Sequence, residues 1–262
     1  TGASDVDTTD TLSIASVTYA IDGGTASATV PAGLTLTGNS LTVDPSNAPF
    51  NSLAAGQTKT ILVNYTISDS HGGTIAQTET ITITGTNDFP VISTAGEDDA
   101  FTATIAEEDS GLTTAGTITI EDIDLSDVVA ITVDPTVQIS APEGVLAALP
   151  GNDTLLAMFA IDPSTDATPG EYSDVQWSFD SQDQAFDYLA DGESLELTYT
   201  ITADDGHGGT ATQNITITIA GTNDTPVIAV VEGDGINDVL VDSIAADFTE
   251  SDEGLVASGT LS

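Results

Sequence analysis

The chain has 262 residues, 39% of them apolar, with 42 Asp and Glu against one basic side chain, Lys59, and no Cys, for a formal charge of −41. A nucleic-acid backbone needs a basic surface, so nucleic acid is excluded as a partner. The lack of Cys excludes disulfides, thiolate catalysis and zinc–thiolate sites.

Segments that alternate apolar residues with Thr or other polar residues at period two predict strands over 61–67, 80–84, 117–120, 195–201 and 214–219. Gly, Pro, Asn and Asp clusters punctuate them, at Asp22-Gly-Gly24, Asp44-Pro45, Pro150-Gly-Asn152 and Asp205-Gly-His-Gly-Gly209 among others. That pattern predicts an all-β, antiparallel β-sandwich architecture. Short helices are predicted over 47–55 and 182–190, where Phe and Leu stand three apart before a Gly stop. Residues 145–160 fit a helix or a buried strand pair equally well. No apolar run of membrane-spanning length occurs, so direct membrane insertion is not expected.

The chain repeats itself. Phe50, Leu53, Gly56, His71, Gly85, Asn87 and Asp88 recur as Phe186, Leu189, Gly192, His207, Gly221, Asn223 and Asp224, all displaced by 136 residues. A pitch that long is a whole domain, so a linear array of similar domains is expected. Asp5-x-Asp7-x-x-Asp10 matches Asp122-x-Asp124-x-x-Asp127, and 250–259 echoes 107–116. The expected units are therefore a partial sandwich over 1–88 lacking its first strand, a complete one over 89–224, and the start of a third over 225–262. The chain is expected to be a window on a longer polypeptide, with any export signal outside it.

The acids are spaced by apolar runs, so the chain is expected to fold, yet almost no cation is present to pair them. A cation from solution is expected to offset their repulsion. Three acidic loci recur in each unit: the Asp-x-Asp-x-x-Asp run, Asp69 or Asp204/Asp205 before a Gly-Gly turn, and Asn87-Asp88 or Asn223-Asp224 before a Pro. Hard oxygen ligands gathered this way suit Ca²⁺, which takes six to eight oxygens at about 2.3–2.6 Å, better than Mg²⁺. The spacing is not that of an EF-hand, lacking Gly at the sixth loop position and Glu at the twelfth.

The run from Asp205 to Ile228, with Phe186-Asp-Tyr-Leu-Ala-Asp-Gly192 and its counterpart Phe50-Asn-Ser-Leu-Ala-Ala-Gly56, resembles VCBS-type, cadherin-like repeats of bacterial RTX adhesins exported by type I secretion. The resemblance covers about three quarters of the chain and is weakest over 137–175. It implies Ca²⁺ held between consecutive domains of a cell-surface or extracellular protein. Carried over by position, one junction would use Asn87, Asp88, Asp122, Asp124 and Asp204 or Asp205. A second would use Glu107 or Glu108 with Asn223 and Asp224, and Asp5, Asp7 and Asp69 would serve a third, upstream one. With Asp10, Asp127 and Glu250, which occupy matching repeat positions, these complete the expected metal-ligand set. The single Asn-Asp departs from the longer cadherin linker and leaves the ion count per junction open.

A catalytic role is not expected: nothing places a nucleophile beside His71 or His207, which are expected to cap their turns. Trp177 is expected in a core, and Asp234-Gly-Ile-Asn-Asp238 in a loop. The expected function is a structural extender of a secreted adhesin or extracellular fibre, rigidified by interdomain calcium. Its partners would be neighbouring repeats and neighbouring copies in a fibre. The alternatives are a carbohydrate-binding module and a filament subunit that exchanges strands.

Overall fold

A computed structural model describes residues 2–95, 99–162 and 173–225. The chain divides into two compact units, Thr1–Thr222 and Asn223–Ser262. The first unit carries both β-rich repeats.

The first repeat comprises β1 (Ser13–Ile21), β2 (Leu34–Thr37), β3 (Ser40–Val43), α1 (Ala48–Asn51), β4 (Thr58–Ser68) and β5 (Thr74–Thr84). β1, β4 and β5 form one antiparallel sheet, and β2 with β3 forms a separate hairpin. The second repeat comprises β6 (Val91–Ser93), β7 (Thr102–Ala106), β8 (Thr113–Glu121), β9 (Ala130–Val133), β10 (Gln138–Ser140), α2 (Glu143–Leu146), α3 (Asn152–Leu156), β11 (Phe159–Ile161), β12 (Ser173–Asp180), β13 (Ser194–Asp204) and β14 (Thr210–Ala220). Its sheets run β10-β13-β14-β7, with β9 also on β13, and β11-β12-β8-β6. All pairings are antiparallel except β7 with β14, which is parallel.

The period-two segments all fall within strands, because each has one face to bury. On β13 the buried residues are Leu195, Leu197, Tyr199, Ile201 and Ala203, while Glu196 between them faces outward. Ile118 and Ile120 of β8, Val175, Trp177 and Phe179 of β12, and Ile215, Ile217 and Ile219 of β14 close the same core. Trp177 is 1% exposed and its indole Nε1 donates to Ala100 O at 3.0 Å, so it is the core aromatic the sequence predicts. Gly116 lies beneath that ring: a Cβ there would come within 2.6 Å of the indole. Tyr199 stacks on Phe159 at 4.4 Å between ring centroids and donates its hydroxyl to Leu155 O at 2.9 Å, tying α3 to the sheet.

The first repeat has a smaller core, made of Tyr19, Leu34, Phe50, Ile61 and Val63. Phe50 and Phe186, which occupy equivalent repeat positions, are both buried. Both linkers need Gly at Gly85 and Gly221, where any Cβ would run into the carbonyls of Leu53 and Ala54 or of Leu189 and Ala190.

Three helix expectations change. The helix over 47–55 shrinks to the single turn of α1. The one over 182–190 does not form: Gln182 (φ 56°) and Phe186 (φ 64°) sit in the left-handed region, which interrupts any right-handed helix. Residues 145–160 are neither one helix nor a strand pair, but the end of α2, then α3, then the start of β11. Pro150 and Gly151 separate the two helices.

Candidate metal centre

The linker after β5 meets the second repeat where two of its loops converge, the one after β8 and the β13–β14 turn. Asn87 Nδ2 donates to Asp205 Oδ2 at 2.8 Å, and the Asp88 backbone N–H donates to Asp124 Oδ2 at 2.8 Å. Asp124 N–H in turn donates to Asp122 Oδ1 at 2.9 Å, and Asp127 N–H to Asp124 O at 3.1 Å. The first repeat also contributes Ser52 O, which accepts from Leu125 N–H at 3.3 Å.

Local geometry explains why each acid stands where it does. Asp122 closes an Asx-type turn on Asp124, which turns the chain after β8. Asp205 Oδ1 accepts His207 N–H at 2.7 Å and Gly209 N–H at 3.0 Å, so its carboxylate organises the β13–β14 turn. Gly209 must lack a side chain, because its Cβ would strike Asp205 Oδ2.

The burial is unusual for carboxylates. Asp122, Asp124, Asp127 and Asp205 are exposed by 3%, 0%, 1% and 2%, against the rule that Asp is almost never fully buried unless paired. No Lys or Arg faces them: among the described residues the ion pairs are both His–Asp. Asn87 Oδ1, Asp122 Oδ2, Asp124 Oδ1 and Asp127 Oδ2 are buried without a hydrogen-bond partner. His207 Nδ1 lies 3.1 Å from Asp127 Oδ2, an ion pair only when the ring is protonated, and is also 3.2 Å from Asp205 O.

These surroundings move the carboxyl pKa values in opposite directions. Burial pushes Asp122 and Asp124 up, and neighbouring carboxylates add to it. Burial also acts on Asp205, but the Asn87 amide and the His207 and Gly209 N–H groups outweigh it and hold Asp205 low. Asp205 is thus satisfied by donors, while Asp122 and Asp124 carry charge that nothing nearby compensates.

A second, matching set lies in the first repeat. Carboxylate oxygens of Asp5, Asp10 and Asp69 all come within 4.8 Å of one another. Asp69 Oδ1 accepts His71 N–H at 2.8 Å and Gly73 N–H at 2.9 Å, and these bonds, led by His71, lower its pKa. His71 Nδ1 lies 2.9 Å from Asp10 Oδ1, the counterpart of the His207–Asp127 pair. Asp5 Oδ1 accepts Asp7 N–H at 3.0 Å, but Asp5 and Asp7 are exposed. Their equivalents Asp122 and Asp124 are buried where Asn87 and Asp88 pack on them.

Of the alternatives the sequence left open, Asp205 joins the cluster, whereas Asp204 is exposed and accepts Gly206 N–H at 2.8 Å. Glu107 is 2% exposed and its Oε1 accepts Thr222 N–H at 2.8 Å and Thr222 Oγ1–H at 2.5 Å, leaving Oε2 without a partner. Glu108 is exposed. Asn223 Nδ2 donates to Asp224 O at 3.1 Å, as Asn87 Nδ2 does to Asp88 O at 3.0 Å, so the two linkers share a local fold. Glu250 and Asp234 to Asp238 lie outside the described residues. Both His residues face an Asp of the Asp-x-Asp-x-x-Asp run, a placement sequence reasoning missed. Its signal was the co-recurrence of His71 with Asp10 and of His207 with Asp127.

No protein-family model matches the sequence, and no curated protein matches it as a relative. Similar solved structures include human CDH23 EC21-23, at 14% identity and a TM-score of 0.36, covering 80% of this chain and 57% of that one. Mouse Protocadherin-24 EC1-3 matches at 19% identity and a TM-score of 0.31, covering 79% and 58%. The human Desmocollin-1 ectodomain matches at 12% identity and a TM-score of 0.29, covering 79% and 35%. The chain thus spans little more than half of these structures, or less. At that superposition none of them bears on the function proposed below, which rests on the chain's own carboxylates.

Proposed function

We propose that this chain is a structural extender, a run of β-sandwich repeats whose junction is stiffened by Ca²⁺, in the stalk of a secreted surface adhesin or extracellular fibre. One observation carries the proposal: Asp122 and Asp124 are buried beside Asp127, each with a carboxylate oxygen that no donor satisfies. An isolated buried carboxylate is costly enough that it normally pairs, binds metal or takes up a proton. The donor set is all oxygen, hard and anionic, and it fits Ca²⁺. Asp122, Asp124, Asp127 and Asp205 with Asn87 Oδ1 would hold the ion, and the ion would supply the positive charge that the chain lacks. Asn87 and Asp88 come from the linker and the acids from the second repeat, so holding them together restrains the linker.

The same chemistry supports the finer assignment. Metal-free, the acids repel and the junction loosens; the loaded junction transmits force along the chain. Asp5, Asp10 and Asp69 present the same ligands to another junction. The carbohydrate-binding alternative loses Trp177 as a stacking platform, since that ring is in the core.

Calorimetric titration of the exhaustively chelated chain with CaCl₂ is the test. Binding accompanied by a higher melting temperature supports the extender reading. A melting curve identical with chelator, Ca²⁺ and Mg²⁺ would overturn it.

A further inference from the structure

Each repeat carries a histidine ring that its turn does not need. In the β13–β14 turn the backbone N–H of His207, not its ring, donates to Asp205 Oδ1 at 2.7 Å, and Gly209 N–H adds a second bond at 3.0 Å. Any residue but Pro would supply that N–H. The imidazole turns instead toward another segment of the chain. Its Nδ1 lies 3.1 Å from Asp127 Oδ2 and 3.2 Å from the Asp205 carbonyl oxygen. The first repeat has the same division of labour: His71 N–H closes the turn on Asp69 Oδ1 at 2.8 Å, while His71 Nδ1 lies 2.9 Å from Asp10 Oδ1.

These separations are those of neighbouring ligands on one small ion. Bonds of about 2.1 Å place adjacent donor atoms about 3.0–3.4 Å apart in octahedral or tetrahedral geometry. A ring proton shared between the two oxygens would give similar distances, but it does not answer the charge behind it. Asp127 is 1% exposed, and its N–H bonds Asp124, which with Asp122 is also buried. Asp122 Oδ2 and Asp124 Oδ1 have no donor. One proton offsets at most one of three charges, whereas a divalent ion offsets two. Access is built in as well: the His207 side chain is 53% exposed and that of Asp127 0%, so the ring stands at the mouth of the site with the carboxylate behind it.

Ca²⁺ takes oxygen ligands and gives the ring no role, whereas imidazole suits the later first-row transition ions. We propose that His207 Nδ1, Asp127 Oδ2 and Asp205 O form a nitrogen–oxygen corner of the junction that binds a divalent ion of the Co²⁺, Ni²⁺ and Zn²⁺ class. The corner rests on the buried acids being a cation site, as in the function proposed above, but not on Ca²⁺ being their ion. His71 with Asp10 offers the same pair of donors in the first repeat.

Co²⁺ is the probe, because it is paramagnetic and strongly shifts the proton resonances of an imidazole bound to it. The full chain is freed of metal with chelator, moved to chelator-free buffer and titrated with CoCl₂ by calorimetry and proton NMR. With two His and no Cys in the chain, single variants assign each shifted imidazole resonance. His207→Gln is expected to remove one such resonance and to weaken that binding step by about 10–100-fold. Its Ca²⁺ affinity and Trp177 fluorescence should stay as in the parent. His71→Gln should leave the His207 resonance in place. His207-dependent Co²⁺ binding in a chain that takes no Ca²⁺ would support the corner and strike the calcium reading alone. The corner is overturned by a parent without a shifted imidazole resonance, by Co²⁺ binding that ignores His207→Gln, or by equal losses of Co²⁺ and Ca²⁺ binding, which would make the ring a strut for the acids.

Discussion

The amide of Asn87 donates to the carboxylate of Asp205 at 2.8 Å across 118 residues of sequence, joining the interrepeat linker to the turn between β13 and β14. Asn87 is the residue through which the acids of the second repeat feel the first. Asn87→Ala removes a hydrogen bond to a charged group, a contribution of about 1.5–3 kcal/mol. The expected outcome is a lower melting temperature and weaker Ca²⁺ binding in calorimetric titration. Asn87→Asp should weaken the metal-free chain, since it replaces the donor with another negative charge, yet recover with Ca²⁺.

Asp122→Asn together with Asp124→Asn should reverse the usual sign of a buried substitution. Each Asn keeps an oxygen to accept the Asp124 and Asp88 N–H groups while removing uncompensated charge. The metal-free double variant should therefore melt above the metal-free parent, by about 2–4 °C for each kcal/mol gained in a chain of this size. It should gain less from Ca²⁺ than the parent, the Asp5, Asp10 and Asp69 set being untouched. Thermal melts of both proteins with chelator and with Ca²⁺ decide it, and a variant that gains as much from Ca²⁺ as the parent counts against these ligands.

Asp122 and Asp124 also set a pH dependence. Their folded pKa values lie above the ordinary 3.8, so the folded state holds protons more tightly than the unfolded one. Their contribution to the metal-free chain is most favourable below 3.8 and declines as pH rises through the raised folded values. Asp205 and Asp69 are depressed and act oppositely, contributing above 3.8 and losing that contribution as pH falls through their own lower values. Urea unfolding of the chelated chain across this range should show a stability loss with rising pH that Asp122→Asn with Asp124→Asn removes.

Gly209→Ala should damage the junction selectively. The added Cβ would strike Asp205 Oδ2 and come within 2.9 Å of the Phe89 ring and 3.0 Å of Asn87 Nδ2. All three groups belong to the junction and none to the second repeat's core. Reduced Ca²⁺ affinity with an unchanged Trp177 fluorescence spectrum is the expected result. A shifted spectrum would mean that the core, and not the junction, had moved.

Burial of Trp177 makes a further prediction. Trp177→Ala should destabilise the second repeat by about 3–5 kcal/mol, as for other large-to-small core substitutions. The parent chain should bind nothing on a glycan array with Ca²⁺ present.

Much of the strand pattern was legible in the sequence because a sheet with one wet face imposes alternation residue by residue, as between Leu195 and Ile201. The acidic loci were legible too, because they recur at matched positions in two units. Several outcomes were not written locally. A helix over 182–190 satisfied every short-range signal, yet Gln182 and Phe186 adopt left-handed backbone conformations. Adjacent acids with equal claims, Asp204 and Asp205, or Glu107 and Glu108, were separated only by which faced inward. Asp122 and Asp124 are buried by a linker more than thirty residues away in sequence, because Asn87 and Asp88 pack against these acids. The sequence by itself determined the strands, the repeat and the acidic chemistry, through patterns that act within a few residues. Only the tertiary structure decided which carboxylates lose their water, because desolvation depends on what distant segments pack on top of them.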